Sequence, residues 1–280
     1  MTRSARVPLI LAAALSAGIA RAEPAVWMLV TLPPMVMTEG PLAGQGAGQI
    51  AFARLSPHLA GFDWRVEAAT PLRVLHEIQH RDGICSFSFA KLPEREGKML
   101  FSQRAMVVPG SGVIVREERL AEFQRYLDPT GAVDLSLLGA ARGYIGGYAA
   151  GRPHFGALKS YIADPGHKAS LVADDPAKLF RQLAARHLDF MFGLRDETNY
   201  FAETLGNARL VSLPIAGTDK FGEAYVSCST GPVGQRAMQA IDAWLADDRH
   251  WAEFVAPWER WLSPADYEVA LNPHQTKPVR

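Results

Sequence analysis

The side chains whose types and spacing most directly suggest chemistry are His76-Glu77-Ile78-Gln79-His80. Two histidines one helical turn apart can ligate a single zinc ion, and the glutamate beside them can activate the bound water. The context opposes that use. A third histidine at the longer spacing would fall on Ser86, and the positions just after the motif are the charged Arg81 and Asp82. On a helical wheel Leu72, Val74, Leu75 and Ile78 share one face, which leaves His76 and His80 on the polar side with Arg73 and Glu77. A secreted zinc metallopeptidase using His76, Glu77 and His80 is therefore the alternative reading. Other catalytic patterns are missing: there is no G-x-S-x-G elbow, and the glycines from Gly146 to Gly151 lead into Arg152-Pro153 where a phosphate loop needs Lys-Ser/Thr.

The elements that must position these residues alternate between strand and helix. Ala25–Val30 is a short apolar strand, followed by Pro33-Pro34, a glycine-rich loop and a helical stretch over 49–59. A strand around Trp64–Ala68 precedes a helix capped by Thr70, with Pro71 in its first turn and Gly83 ending it. Ile84–Phe89 and Met106–Val115 read as further strands. The pattern then restarts, with helices over 117–126 and 134–140, a strand over 143–149 and a helix with Pro153 at its first position. Strands over 169–173, 188–192, 208–214 and 223–229 follow, with a helix over 176–187 among them. A long helix from Gly231-Pro232 and an aromatic C-terminal region (Trp251, Phe254, Trp258, Trp261) complete the chain. Such alternation predicts an α/β protein with mostly parallel sheets.

Residues 1–22 have the pattern of a secretory signal. Arg3 and Arg6 precede an uncharged apolar run from Val7 to Ile19, and Ala20-Arg21-Ala22 supplies the small-x-small cleavage site. The full chain of 280 residues balances 29 basic against 29 acidic groups; cleavage after Ala22 would remove three arginines and leave 26 against 29. Neither balance suits a nucleic-acid binder. With 48% hydrophobic residues and no charge excess, disorder is excluded, and two cysteines are too few for a disulfide scaffold. A periplasmic, mildly acidic protein is expected.

The segment Ile84-Cys85-Ser86-Phe87-Ser88-Phe89-Ala90-Lys91-Leu92-Pro93-Glu94-Arg95, continuing to Phe101-Ser102, resembles the family-3 extracellular solute-binding proteins of bacterial ABC transporters. In that family a strand ends in small hydroxyl residues, and an arginine stands six residues before a Phe-Ser pair. Leu32-Pro33-Pro34-Met35 with Gly44 resembles the first ligand loop, Gly151-Arg152-Pro153-His154-Phe155-Gly156 the loop and helix start of the second lobe, and Leu188-Asp189-Phe190 a second-lobe strand. The resemblance implies the two-lobed type 2 periplasmic-binding fold with a double hinge. Residues 23–115 and 219–280 would form lobe one, and 116–218 lobe two.

By the same resemblance, Arg95, Ser88, Lys91, Pro34, Gly151 and Arg152 would line an interlobe cleft. No reaction and no cofactor are implied; the partners would be a small solute and either a membrane permease or a sensor ectodomain, with the protein a monomer. An arginine fork suits a planar carboxylate. The acid that holds a ligand's ammonium in amino-acid binders corresponds to Leu194, with Asp196 and Glu197 displaced from it, and Leu32 and Met35 stand where an aromatic residue commonly stacks. The expected solute is therefore carboxylate-bearing or anionic. Cys85 and Cys228 would lie on adjacent strands and pair in an oxidising compartment.

Overall fold

The computed structural model describes residues 22–272, apart from 142, 151, 153, 165, 167–170, 174 and 207–208. The segment read as a secretory signal therefore lies, but for Ala22, outside the described residues. The first half of the chain runs β1 (Glu23–Val30), α1 (Ala47–Leu55), β2 (Phe62–Ala69), α2 (Pro71–His80), β3 (Ile84–Phe89) and β4 (Leu100–Pro109). The middle runs β5 (Ser111–Arg116), α3 (Leu120–Phe123), α4 (Leu135–Ala140), β6 (Gly146–Ala149), α5 (Gly156–Ala163) and β7 (Leu171–Ala173). Then come α6 (Pro176–Ala184), β8 (Phe190–Leu194), α7 (Arg195–Thr204), β9 (Leu210–Pro214) and β10 (Phe221–Cys228), and the chain ends in α8 (Pro232–Leu245), α9 (Asp248–Val255) and α10 (Pro264–Leu271).

Local chemistry accounts for these boundaries. Thr70 is extended ahead of Pro71, and α2 buries Val74 and Ile78 one turn apart. Asp134 and Asp175 cap α4 and α6 by accepting first-turn N–H groups. Asp82 performs the same task at long range, accepting from Val233 (3.0 Å) and Gly234 (2.9 Å) at the start of α8.

The strands form two sheets of five, ordered β2-β1-β3-β10-β4 and β7-β6-β8-β5-β9. Within each, two neighbouring pairs are parallel, and one inserted strand, β10 or β5, runs antiparallel to both its neighbours. The inserted strand is in each case the one that has just crossed from the other sheet. Helices cover both faces. The first core gathers Trp27 stacked on Phe52 at 4.4 Å, and Phe87 edge-on to Phe254 and Trp258. The second sheet buries Phe123, Phe190 and Phe192 on one face and Leu179, Phe180 and Phe201 on the other.

Several expected boundaries move. The strand expected over 106–115 is two strands split at Gly110, so 111–115 belong to the second sheet and the crossing falls five residues earlier than expected. Gly110 donates to the Lys220 carbonyl on the returning segment (2.9 Å), and a Cβ there would lie 2.4 Å from the Asp219 carbonyl oxygen. Only glycine lets the two crossing segments approach this closely. The helix expected over 117–126 is three single turns, and α5 begins at Gly156 rather than Pro153. Gly156 has φ +53° and would meet the Gly217 carbonyl if it carried a Cβ, while Ala157 donates to that same carbonyl (3.1 Å). The second crossing thus sets where α5 can start.

Cys85 and Cys228 face each other across β3 and β10, both fully buried, and form a disulfide. The closed loop contains β4 and the whole second sheet. In the chain-entropy description such a loop contributes on the order of 5 kcal/mol.

Candidate functional site

The topology fixes where a site can form. In the first sheet the chain leaves β1 to one side for β2, then returns to the other side for β3. The second sheet repeats the manoeuvre from β6 to β7 and back to β8. The carboxyl ends of β1 and β3, and of β6 and β8, are therefore switch points, where loops diverge and leave a crevice. Because β4 passes into β5 through one residue, and β5 runs antiparallel to β8, the carboxyl edges of the two sheets adjoin at the crossing.

Of the residues read from sequence, Pro34 lies in the loop after β1, Ser88 near the end of β3, and Lys91 and Arg95 in the loop after it. Ser88 is an extra residue in β3: Phe87 pairs with Val226 and Phe89 with Tyr225, and Ser88 between them has φ 100°. A non-glycine residue in that region costs of order 1–3 kcal/mol, and such strain gathers at ligand clamps. Beyond it, Arg95 ends a single turn over Pro93–Arg95. Its Nη1 donates to the Ala90 carbonyl (2.9 Å), and the guanidinium lies over the Phe89 ring at 5.5 Å from the centroid. Burial lowers the Arg95 pKa, against the attraction of Glu94. Arg95 forms no ion pair among the described residues, so the contact with Glu94 or Glu96 that an exposed arginine would make is not formed. Lys91 is exposed. Pro34 is buried, and its carbonyl accepts from Ala47 (3.0 Å) at the start of α1. The loop packs closely there, since a Cβ on Gly46 or Gly48 would strike Met35.

Phe101-Ser102 opens β4 at a second irregularity. Tyr225 pairs with Ala105 but Ser227 with Phe101, so Ser102–Arg104 bulges, and the Ser102 hydroxyl accepts from the Val226 N–H (3.1 Å) that the bulge would otherwise strand.

The second edge is more heavily charged. Arg152 follows β6, and its guanidinium donates to both oxygens of Glu197 (2.8 and 2.5 Å). Glu197 is 3% exposed and also accepts from the Leu194 N–H (3.2 Å), closing the first turn of α7. Asp196 accepts from the Glu197 N–H (3.0 Å). Burial and then the Glu197 charge raise the Asp196 carboxyl to about 7. Burial and then the Arg152 charge lower His154 to about 4, so its imidazole is neutral at pH 7. Phe155, 43% exposed, caps the entry to α5. Gly151 lies outside the described residues.

Sequence reasoning put forward Arg95, Ser88 and Arg152, but not the Glu197 carboxylate that pairs with Arg152 or the exposure of Phe155. It also missed α7 altogether. The acidic pair Asp196-Glu197 ahead of Tyr200-Phe201 was the available signal for a helix start. The metallopeptidase reading finds no support in this geometry. His76 and His80 stack at 4.2 Å on the exposed side of α2, His80 Nδ1 is engaged with the His76 carbonyl (2.8 Å), and Glu77 pairs with Arg81 (2.6 Å). Among the described residues no third ligating side chain joins them.

No protein-family model matches the chain, and no curated protein sequence matches it. Solved structures do. A periplasmic binding protein of Salmonella typhimurium described as having high arginine specificity has a TM-score of 0.61 at 15% identity, covering 86% of this chain and 100% of that one. An amino acid ABC transporter substrate-binding protein from Streptococcus pneumoniae, bound to L-arginine, has a TM-score of 0.60 at 14% identity, covering 89% and 96%. A histidine kinase sensor domain with similarity to periplasmic binding proteins has a TM-score of 0.59 at 17% identity, covering 87% and 97%. The chain has the two-lobed type 2 periplasmic-binding fold. Its low identity to these neighbours fits a divergent branch of that fold.

Proposed function

We propose that the protein captures a small carboxylate-bearing or anionic solute in the crevice between its two sheets, and delivers it to a membrane permease or a sensor ectodomain. The observation that carries this reading is Arg95: a half-buried guanidinium in the loop after the first switch point, held by one carbonyl and one ring face, with no carboxylate partner among the described residues. Its remaining donors form a fork suited to a planar anion. Ser88, the extra residue near the end of β3 with φ 100°, would supply a hydroxyl at the same edge. Lys91, Pro34 and Gly151 complete the proposed lining. The solute-binding proteins and the sensor domain that share this fold support non-covalent capture, and no reaction is assigned. A periplasmic location follows from the secretory pattern of residues 1–22, and no helix among the described residues is long and apolar enough to cross a membrane.

The test is a thermal-shift panel of carboxylates, amines and neutral polyols of similar size. Carboxylates are expected to raise Tm in the wild type and to leave Arg95→Ala unchanged. An undiminished response in Arg95→Ala, or a response confined to amines, would remove the assignment.

A further inference from the structure

The acidic pair at the carboxyl end of β8 already has a cation. Asp196 and Glu197 stand in the first turn of α7, where the helix's unpaired N–H groups favour negative charge. They follow β8 directly, at the switch point between β6 and β8. Two carboxylates in that position would receive a cationic group on a solute, and a guanidinium is the cation whose two donors best match a carboxylate's two oxygens. This chain provides that guanidinium itself. Arg152, from the turn after the neighbouring strand β6, fills both oxygens of Glu197, and the paired side chains are 13% and 4% exposed. His154, two residues beyond Arg152, is neutral at pH 7 and adds no charge to the cluster.

We propose that Arg152 is a tethered occupant of the cation subsite in the second lobe, and that it sets specificity by excluding solutes whose ammonium or guanidinium group would need Glu197. The inference rests on the crevice being the solute site. It deepens that reading, because a solute held by Arg95 at one end must then be free of positive charge at the other. An incoming cation would have to displace a bidentate, largely buried pair, or sit beside a like charge. A pair serving only as a brace between β6 and α7 makes a different forecast: its removal lowers stability and creates no new affinity.

Agmatine, a guanidinium solute without a carboxylate, separates these outcomes. The wild type should show no thermal shift with millimolar agmatine, whereas Arg152→Ala should be stabilised by it and should bind it at least about tenfold more tightly. Arg152→Ala/Glu197→Gln should lose that response. An Arg152→Ala protein that folds and ignores agmatine, or a wild type that binds agmatine equally well, would overturn the proposal. Should the uncompensated Glu197 prevent Arg152→Ala from folding, Glu197→Gln alone decides. It releases Arg152 while keeping the side-chain volume, and succinate should then bind about tenfold more tightly than to the wild type; unchanged succinate binding, with the wild type itself binding succinate, would overturn the proposal. The agmatine arm involves neither a carboxylate nor Arg95. Carboxylate binding by the wild type without agmatine gain in Arg152→Ala would defeat this proposal alone, and the reverse pattern would defeat the anion reading alone.

Discussion

Asp196 carries the largest consequence of crowding charges at a helix start. Its carboxyl is raised to about 7, by burial first and by Glu197 second. In the unfolded chain the same group titrates near its ordinary value, so between about pH 4 and 7 the native state holds a proton that the unfolded state has lost, and stability at this group falls as pH rises through that window. Replacing Asp196 by Asn should therefore raise Tm at about pH 8, with the difference shrinking towards zero below about pH 4. Melting curves across that range decide it, and a lower Tm for Asp196→Asn at the alkaline end would contradict the assignment. Asp82 shows the opposite balance. Burial raises its pKa, but N–H donors from Gly234, Val233 and Gly83 and the Ser229 hydroxyl outweigh that and lower it. The difference is in donors: Asp82 is surrounded by them, whereas Asp196 sits beside a second carboxylate.

Elements inherit such local constraints as boundaries. The crossings between sheets are narrow at Gly110, where a Cβ would sit 2.4 Å from the Asp219 carbonyl oxygen, so Gly110→Ala should cost about 1–3 kcal/mol in urea unfolding. Gly222 on β10 is the control. Its Cβ would find only Val108 Cγ2 at 4.0 Å, and Gly222→Ala should stay within about 0.5 kcal/mol. Equal costs at the two positions would show that close approach is not what Gly110 provides. The same contact explains what could be read from sequence and what could not. β1, α2, β3 and α8 were legible because their apolar spacing and Pro, Thr or Gly punctuation are local. The split of 106–115 into β4 and β5 was not, because it depends on a returning segment more than 100 residues later in the chain. The start of α5 was hidden for the same reason, being set by Gly217. The Arg152–Glu197 pair joins residues 45 apart whose meeting depends on β6 and β8 lying side by side.

Across the whole molecule, the two sheets are joined by more than the crossings and the loop closed by Cys85–Cys228. Arg195 at the start of α7 donates to both oxygens of Asp266 in α10 (2.8 and 2.7 Å). One turn on, Asn199 donates to the Trp261 carbonyl (2.7 Å), and Tyr200 packs edge-on to the Trp261 ring at 5.4 Å. The helix that bears Glu197 is thus also the one tied to the C-terminal segment that packs on the first sheet, so on the proposed reading occupancy of the crevice and the relation between the sheets share an element. On the proposed reading, overall charge offers an anion no attraction once the three arginines within residues 1–22 are discounted, and the attraction resides at Arg95. Native mass spectrometry of protein purified without refolding tests that claim most directly. One bound solute per chain is expected, with a composition that includes a carboxylate or other acidic group, and it should be absent from Arg95→Ala. A co-purified solute with no acidic group, or equal occupancy in Arg95→Ala, would contradict it.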